Sequence, residues 1–143
     1  IDIDKEGYYD PLDYWDPINA RRDNMILNPG DFHIFASAEA VTVPPDHAAE
    51  MVAYDTQVGE FRVHYAGFFD PGFGYHGSGG AGSRAVLEVR SHEVPFLIEH
   101  GQAVGRLIYE RLMDEPDKLY GRSIGASYQR QGLQLAKQFK QAR

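Results

Sequence analysis

Cysteine is absent from the 143-residue chain, which excludes disulfides, zinc–thiolate sites and cysteine nucleophiles and favours a reducing, cytoplasmic location. The sequence also has no apolar run of about 18 residues, so a transmembrane helix is excluded. No signal peptide is visible, because the chain opens with the acidic and aromatic residues 1–15. Residue 1 is not an initiator Met, which indicates a fragment or a processed piece of a longer chain.

Basic residues are scarce. Lys and Arg number 14 against 21 Asp and Glu, and the formal net charge is −7. This balance argues against nucleic acid as a partner, since its phosphates attract cationic proteins. The exception is residues 118–143, which carry six basic residues and no acidic one. Charge alone favours a solvated helix face there, and it leaves open a site for a small polyanion such as a nucleotide.

Short apolar runs separated by Gly and Pro turns occupy the middle of the sequence. Phe61, Val63 and Tyr65 alternate with polar residues and therefore share one face of a predicted strand. Many such strands predict a mostly β protein, an antiparallel barrel or sandwich. The helical spacing of apolar residues near the end predicts a short C-terminal helix from about Leu133 to Gln141.

These patterns divide the chain into three segments. Residues 1–28 form a predicted irregular arm, rich in Asp and aromatic residues and interrupted by two Asp-Pro pairs. Residues 29–117 form the predicted β domain. Residues 118–143 form a predicted basic C-terminal lid and helix.

The glycine-rich stretch 74–83 is predicted to be a flexible hairpin tip between two strands. It is not a P-loop, because no Gly-Lys-Ser/Thr ends it, and it is not a dinucleotide fingerprint, because a strand follows it. The six His residues are scattered without a His-Glu-x-x-His motif, so no metal site built from protein side chains is expected. Because Ser, His and Asp are all present, the composition does not exclude a Ser–His–Asp catalytic triad.

Glu88 is the most informative acidic residue, because it lies mid-strand with apolar neighbours on both sides. A carboxylate in this position is expected to be partly desolvated, which suits it to moving protons. The pattern alone favours a plainer interpretation: an edge-strand glutamate in solvent, or an ion pair with Arg84 or Arg90.

Three stretches carry a resemblance to a known family: Ala-Gly-Phe-Phe-Asp-Pro-Gly-Phe at 66–73, Val-Leu-Glu-Val at 86–89 and Gly-Gln-Ala-Val-Gly-Arg-Leu at 101–107. They resemble the dCTP deaminase branch of the dUTPase-like superfamily, in which an Asp-Pro-Gly-aromatic turn precedes a strand with a central catalytic Glu. The resemblance covers residues 29–132. It points to the second half of long, two-module bacterial dCTP deaminases, and so to an upstream module of the same chain.

The resemblance implies a distorted antiparallel β-barrel of the dUTPase-like, β-clip type and a homotrimer with active sites between subunits. It implies hydrolysis of dCTP to dUTP and ammonia in pyrimidine deoxynucleotide biosynthesis, with dTTP as a candidate inhibitor. It also implies Mg²⁺ carried on the nucleotide triphosphate and no zinc. The absence of cysteine agrees, since zinc deaminases need a Pro-Cys-x-x-Cys motif.

Matching positions imply roles for individual residues. Glu88 is the implied general acid and base, and Ala66 lies beside the reacting carbon, where its backbone helps to hold the attacking water. Asp70 is implied to meet the deoxyribose. The remaining residues implied to bind the nucleotide are Tyr120, Tyr128, Arg130, Gln131 and Lys137.

One departure from the family pattern concerns its Ser-Ser-x-x-Arg motif, which is replaced here by Ala53–Gln57. The family's tail Lys is also replaced, by Ser127. Either another module supplies the missing Ser and Arg, or this module alone is weakly active or inactive. Two alternatives therefore stay open: a dUTP diphosphatase of the same fold, and a non-catalytic module that binds nucleotide or builds the trimer.

Overall fold

The computed structural model describes residues 1–18, 23–53, 61–64, 67–91, 93–121, 129, 132–133 and 135–140, with backbone alone for residues 53 and 61–64. The chain forms two compact units, one of residues 24–133 and one of residues 1–23 with 134–143. The predicted division into an arm of residues 1–28, a β domain of residues 29–117 and a lid of residues 118–143 stays a prediction.

The larger unit is built from short strands. Those in its described part are β1 Asn24–Leu27, β2 Phe32–Val41, β3 His47–Ala53, β4 Phe61–His64, β5 Phe68–Phe69, β6 Ser83–Ser91, β7 Phe96–Glu99 and β8 Gly105–Arg111. Strands β1 and β7 form one sheet, and the other two sheets have the orders β2-β6-β4 and β5-β3-β8. All of these pairings are antiparallel. The prediction of a mostly β protein is confirmed, and closure into a barrel stays a prediction.

Strand β6 shows most clearly how the sequence forms a two-faced strand. Ser83, Ala85, Leu87, Val89 and Ser91 are all buried, and the residues between them are exposed or half-buried. Successive side chains of a strand point to opposite faces, so a two-residue period places one set in the core. Leu87 and Val89 join a core cluster with Leu27. This alternation agrees with the strands predicted for the middle of the sequence.

A second core cluster lies around the ends of β2, β3 and β5. It contains Val43, Ala49, Phe69, Phe73 and Ala85. The Phe69 and Phe73 rings meet edge to face with their centroids 5.0 Å apart. The Asp-Pro-Gly turn separates these two residues in the sequence, so both ends of the turn are anchored in the core.

The terminal unit joins the two ends of the chain. The backbone N–H groups of Gly7 and Tyr8 donate to the carbonyls of Lys137 and Gln138 at 2.9 Å each. Tyr9 forms a parallel bridge with Phe139. The rings of this unit meet in a cluster made of Tyr8, Tyr9, Tyr14 and Phe139.

The predicted C-terminal helix is wrong for the residues described there, 133 and 135–140, which form turns and a bridge. The carbonyls of Lys137 and Gln138 accept from the arm, and the N–H of Lys140 donates to the Tyr9 carbonyl at 2.8 Å. These groups are therefore engaged across the unit instead of along a helix. A helix of this length is marginal without tertiary support, so the arm's hydrogen bonds decide the conformation. Across the described residues, no helix has the length and apolar character needed to span a membrane.

Candidate active site

Glu88 occupies the centre of β6, which is itself the central strand of its sheet. In the two ladders Glu88 pairs with Ile34 of β2 and with His64 of β4. Its side chain is exposed. The expected partial desolvation of Glu88 is therefore wrong for this chain, because the apolar residues beside it in sequence point to the opposite face.

The interpretation of Glu88 as an ion-pair partner of the neighbouring arginines is also wrong. Arg84 Nη1 donates to the Ser37 carbonyl at 2.7 Å. The Arg90 guanidinium lies over the Phe32 ring, 5.4 Å from its centroid. Within the part of the chain that the structure describes, no ion pair or side-chain hydrogen bond engages Glu88. Its carboxylate is therefore available to a ligand.

The Asp-Pro-Gly turn follows β5 and is held by backbone hydrogen bonds. The N–H of Phe73 donates to the Asp70 carbonyl at 3.0 Å, and the N–H of Gly72 donates to the Val43 carbonyl at 3.0 Å. Gly72 has a φ of 95°, a left-handed conformation that favours glycine. The Asp70 side chain is exposed. The backbone thus closes the turn, and the carboxylate stays at the surface.

Tyr120 is the one other predicted nucleotide-binding residue that the described part of the chain places at this turn. Its N–H donates to the Pro71 carbonyl at 2.9 Å. Its ring packs at 5.7 Å from the Phe73 ring and is half-buried. The structure therefore brings Asp70 and Tyr120 together, and Tyr120 also packs against the core.

The other predicted residues are not brought to this turn by anything described. Lys137 lies in the terminal unit, where its Nζ is 2.5 Å from Glu6 Oε1 in an exposed ion pair. Ala53 ends β3, paired with Gly105. Residues outside the described part of the chain are Ala66, Tyr128, Arg130, Gln131 and the remainder of the Ala53–Gln57 stretch. Their implied roles stay predictions.

The glycine-rich stretch is a compact loop, which differs from the predicted flexible hairpin tip. The N–H of Gly82 donates to the Gly74 carbonyl at 2.8 Å, and the N–H of Gly80 donates to the Tyr75 carbonyl at 2.8 Å. A 3-10 turn spans His76–Ser78. A Cβ at Gly80 would lie 2.4 Å from the Gly74 carbonyl carbon. Gly80 is therefore needed for the close packing of the backbone in this loop.

Gln129 is the residue that sequence reasoning missed. Its Oε1 accepts a hydrogen bond from the N–H of Gly74 at 2.7 Å, across 55 residues of sequence. Its Nε2 lies 2.9 Å from the Gly72 carbonyl and 3.2 Å from the Tyr120 carbonyl. The single available signal was its position between two residues already implied in nucleotide binding.

Two titratable groups near the β3–β8 pair have shifted pKa values. The hydrogen bond from His47 Nδ1 to Asp46 Oδ1, at 2.8 Å, lowers the pKa of Asp46. Burial raises the pKa of Tyr109, whose hydroxyl donates to the Thr42 carbonyl at 3.1 Å. Neither group touches Glu88 or Asp70 among the contacts described.

Protein ligands for a metal ion are not gathered anywhere in the described residues, where no three His, Cys, Asp or Glu side chains lie close enough to share one.

A small β unit with an exposed glutamate on a central strand and an Asp-Pro-Gly turn has the features expected of a dUTPase-like domain. Residues 1–139 match the family model described as "2'-deoxycytidine 5'-triphosphate deaminase (DCD), C-terminal domain". The chain belongs to this family.

Curated relatives and a solved structure agree with this membership. A protein of Halobacterium salinarum named "dCTP deaminase, dUMP-forming" is 33% identical over 113 residues, which are 76% of this chain and 53% of that protein. One of Clavibacter michiganensis with the same name is 34% identical over 106 residues, covering 72% of this chain and 49% of that protein. The crystal structure of 2'-deoxycytidine 5'-triphosphate deaminase from Agrobacterium tumefaciens is 61% identical, with a TM-score of 0.68.

The match to the Agrobacterium protein covers 76% of this chain and 32% of that chain. The chain thus spans about half the length of the curated relatives and about a third of the solved one. The similarity to this structure confirms the dUTPase-like fold class that the sequence predicts.

Proposed function

We propose that this chain is the C-terminal module of a dCTP deaminase, which hydrolyses dCTP to dUTP and ammonia without zinc. The observation that carries the proposal is the position of Glu88 on the exposed face of a central strand, with Arg84 and Arg90 engaged by other partners. A carboxylate without an ion pair is free to accept and return protons. Membership of the dCTP deaminase family supplies the substrate class.

In the proposed reaction, the oxygen of a water molecule bonds to C4 of the cytosine ring and the bond from C4 to the exocyclic amine breaks. Glu88 accepts a proton from the water and passes it to the ring nitrogen N3, and it then moves the proton of the new C4 hydroxyl to the leaving amine. Ammonia leaves and the C4 carbonyl of uracil remains. The backbone at Ala66 is proposed to help hold the attacking water beside the reacting carbon.

The Asp-Pro-Gly turn is proposed to bind the nucleoside. Asp70 would accept a hydrogen bond from the deoxyribose hydroxyl, because its exposed carboxylate is held on a turn that the core anchors. Tyr120 supports this assignment, since it is joined to the same turn through Pro71. The proposed groups that cover the base or meet the phosphates are Tyr128, Arg130, Gln131 and Lys137.

Mg²⁺ is proposed to arrive with the triphosphate. Phosphate oxygens and water are ligands that this ion prefers, and they leave the chain's own acids free for other roles. Bound in that way, the ion would offset the negative charge of the triphosphate. The chain itself has a net charge of −7, so neutralising the ligand favours its binding.

The active assembly is proposed to be a homotrimer in the cytoplasm, with an upstream module of the chain supplying the Ser and Arg that Ala53–Gln57 lacks. Exposed apolar side chains support an assembly. Phe68 is 80% exposed and Ile108 is 47% exposed, and both pair with Glu50 on one sheet. Such side chains suit burial between subunits. dTTP is proposed as a feedback inhibitor, since it shares the deoxyribose triphosphate.

A second candidate product follows from the names of the curated relatives, which are dUMP-forming deaminases. An enzyme of that kind would also hydrolyse the bond between the α- and β-phosphates and release pyrophosphate. A dUTP diphosphatase and a non-catalytic nucleotide-binding module of the same fold complete the alternatives.

The test is to incubate the longest natural form of the chain with Mg²⁺ and dCTP, and in a parallel reaction with Mg²⁺ and dUTP, and to measure ammonia, dUTP, dUMP and pyrophosphate. The proposal expects ammonia and dUTP in equal amounts and no pyrophosphate. Ammonia with dUMP and pyrophosphate would assign the dUMP-forming reaction instead. Release of pyrophosphate from dUTP, with no ammonia from dCTP, would assign a diphosphatase. Nucleotide binding without any product would leave the non-catalytic module.

A further inference from the structure

The side-chain amide of Gln129 joins three parts of the larger unit. Its Oε1 accepts from the N–H of Gly74 in the glycine-rich loop, and its Nε2 lies within hydrogen-bond distance of the Gly72 and Tyr120 carbonyls. Ser78 Oγ lies 3.2 Å from the same nitrogen. One amide thus contacts the Asp-Pro-Gly turn, the loop after it and the segment at Tyr120.

The donors and acceptors of this network match. Ser78 Oγ donates to the Gly72 carbonyl at 2.6 Å or to the Tyr75 carbonyl at 3.0 Å, so it can accept from Gln129. The two protons on Gln129 Nε2 are shared among three acceptors, and its carbonyl oxygen takes the N–H of Gly74. A half-buried amide with a partner for both its oxygen and its nitrogen is held in one orientation.

Two glycines beside this network have no room for a Cβ. A Cβ at Gly121, whose φ is +110°, would lie 2.4 Å from Gln129 Nε2. A Cβ at Gly72 would lie 2.9 Å from the Tyr120 carbonyl oxygen. The site is therefore built around the glutamine side chain.

We propose that Gln129 is a positioning residue that fixes the Asp70–Pro71–Gly72 turn in the conformation that binds the nucleoside. The inference rests on the proposed function, in which Asp70 meets the deoxyribose. Gln129 fixes the Gly72 carbonyl from the side chain, and Tyr120 fixes the Pro71 carbonyl from its backbone. Asp70 begins the same turn, so these two contacts fix the stretch of backbone from which its carboxylate projects.

This role predicts an effect on substrate binding and not on the chemical step. Glu88 lies in the β2-β6-β4 sheet, and no hydrogen bond between described residues links it to Gln129. Loosening the turn weakens the hold on the sugar equally in the ground state and in the transition state. Loss of such uniform binding raises KM and leaves kcat nearly unchanged.

The test compares two variants of the longest natural chain with a matched control. Gln129→Ala removes the whole network. Gln129→Glu keeps an oxygen that accepts from the N–H of Gly74. It replaces the Nε2 donor with a negatively charged carboxylate oxygen, which faces the Gly72 and Tyr120 carbonyl oxygens and repels them. The control is Gln102→Ala, an exposed glutamine of the same unit that accepts one hydrogen bond, from the N–H of Glu99 at 2.9 Å.

With dCTP as the probe, both Gln129 variants should raise KM about tenfold with kcat within about twofold of the unmodified chain, since a lost polar contact typically changes binding by that factor. Gln102→Ala should change neither constant. An unchanged KM in both Gln129 variants would overturn the inference. A fall in kcat with an unchanged KM would overturn it too, because that result reports a smaller fraction of folded protein.

Amide hydrogen exchange at Gly74 supplies a readout that does not depend on activity. Its N–H should exchange at least about tenfold faster in Gln129→Ala than in the unmodified chain. A chain that neither binds nor turns over dCTP would overturn the proposed function, and faster exchange at Gly74 would then still show that Gln129 holds the turn. If the Gly74 N–H of Gln129→Ala exchanges at the unmodified rate and KM is also unchanged, the inference about Gln129 is overturned and the proposed function still stands.

Discussion

The guanidinium of Arg90 lies 5.4 Å from the centre of the Phe32 ring, across the antiparallel pair of β6 and β2. Arg90 and Glu88 lie two residues apart on the exposed face of β6. Because Arg90 lies over the aromatic ring, it forms no ion pair with Glu88 in the part of the chain that the structure describes. A cation over an aromatic face contributes about 0.5–1 kcal/mol at an exposed site, enough to bias where the guanidinium lies.

Glu88→Gln should reduce dCTP deamination by about 10²–10⁴-fold, because glutamine keeps the size of the side chain but cannot accept the proton of water. Nucleotide affinity should change little. The free energy of unfolding should change by less than about 0.5 kcal/mol, since the carboxylate is exposed and forms no ion pair with any residue that the structure describes. Steady-state kinetics on the longest natural chain and chemical denaturation check these two expectations.

The matched control for that substitution is Glu50→Gln. Glu50 is also an exposed glutamate on the central strand of a three-stranded sheet, β5-β3-β8. Its substitution should leave the deamination rate unchanged. A Glu88→Gln variant that deaminates dCTP at the unmodified rate would remove Glu88 from the mechanism and favour the non-catalytic module.

Removal of divalent cations should abolish turnover of dCTP, and Mg²⁺ should restore it, because the ion is proposed to bind through the triphosphate. Protein purified without nucleotide should contain no stoichiometric divalent ion. Metal analysis of the purified chain and activity after chelation measure the two effects. Stoichiometric zinc in the purified protein would contradict the zinc-free mechanism.

Gly72→Ala should destabilise the protein more than Gly79→Ala does. Both glycines have left-handed backbones, with φ of +95° and +93°, so each alanine costs about 1–2 kcal/mol of backbone strain. At Gly79 an added Cβ meets nothing within 4 Å, whereas at Gly72 it would lie 2.9 Å from the Tyr120 carbonyl oxygen. Chemical denaturation of the two variants measures the difference, and equal losses would show that the turn can move away from Tyr120.

Leu27→Ala should lower the free energy of unfolding by about 2–5 kcal/mol, because a fully buried side chain leaves a cavity when it is truncated. Leu27 has 0% exposure, and Leu97 of the same two-stranded sheet has 51%. Leu97→Ala is therefore the matched control, with an expected loss below about 1 kcal/mol. Similar losses in the two variants would mean that the β1–β7 sheet is buried on both faces in the assembly.

Asp46→Asn should destabilise the chain near neutral pH, and this difference from the unmodified chain should vanish in acid. The hydrogen bond from His47 lowers the pKa of Asp46 in the folded state. The pair therefore stabilises the fold above the ordinary carboxyl pKa of about 3.9, and the contribution is lost as pH falls through the lowered folded pKa. The effect is small and sensitive to salt, because the pair is exposed to solvent.

Denaturation curves for Asp46→Asn from about pH 7 to about pH 2 check this expectation. Asp114→Asn, at an exposed position, serves as the control and should show no such dependence. A difference for Asp46→Asn that stays constant over the whole pH range would contradict the assignment to the His47 pair.

Much of the strand structure could be predicted because it depends on local order in the sequence. The alternation along β6 predicts which residues are buried, since neighbouring side chains of a strand point to opposite faces. The Asp-Pro-Gly motif predicts a turn, because proline and a left-handed glycine restrict the backbone there. The C-terminal helix could not be judged in this way, since Lys137 and Gln138 hydrogen-bond to an arm more than a hundred residues earlier.

The candidate site likewise contains residues that motifs in the sequence predict and contacts that only the folded chain brings together. The sequence by itself pointed to Glu88 and Asp70 as the candidate acids, through the resemblance of their motifs to a known family, and it excluded zinc held by cysteine because the chain has no cysteine. Only the tertiary structure placed Arg84 and Arg90 against partners other than Glu88 and brought the Gln129 amide to the Gly72 carbonyl beside Asp70. Partners such as Gln129 and Gly74, 55 residues apart, meet only when the whole chain folds, and no local pattern encodes that contact.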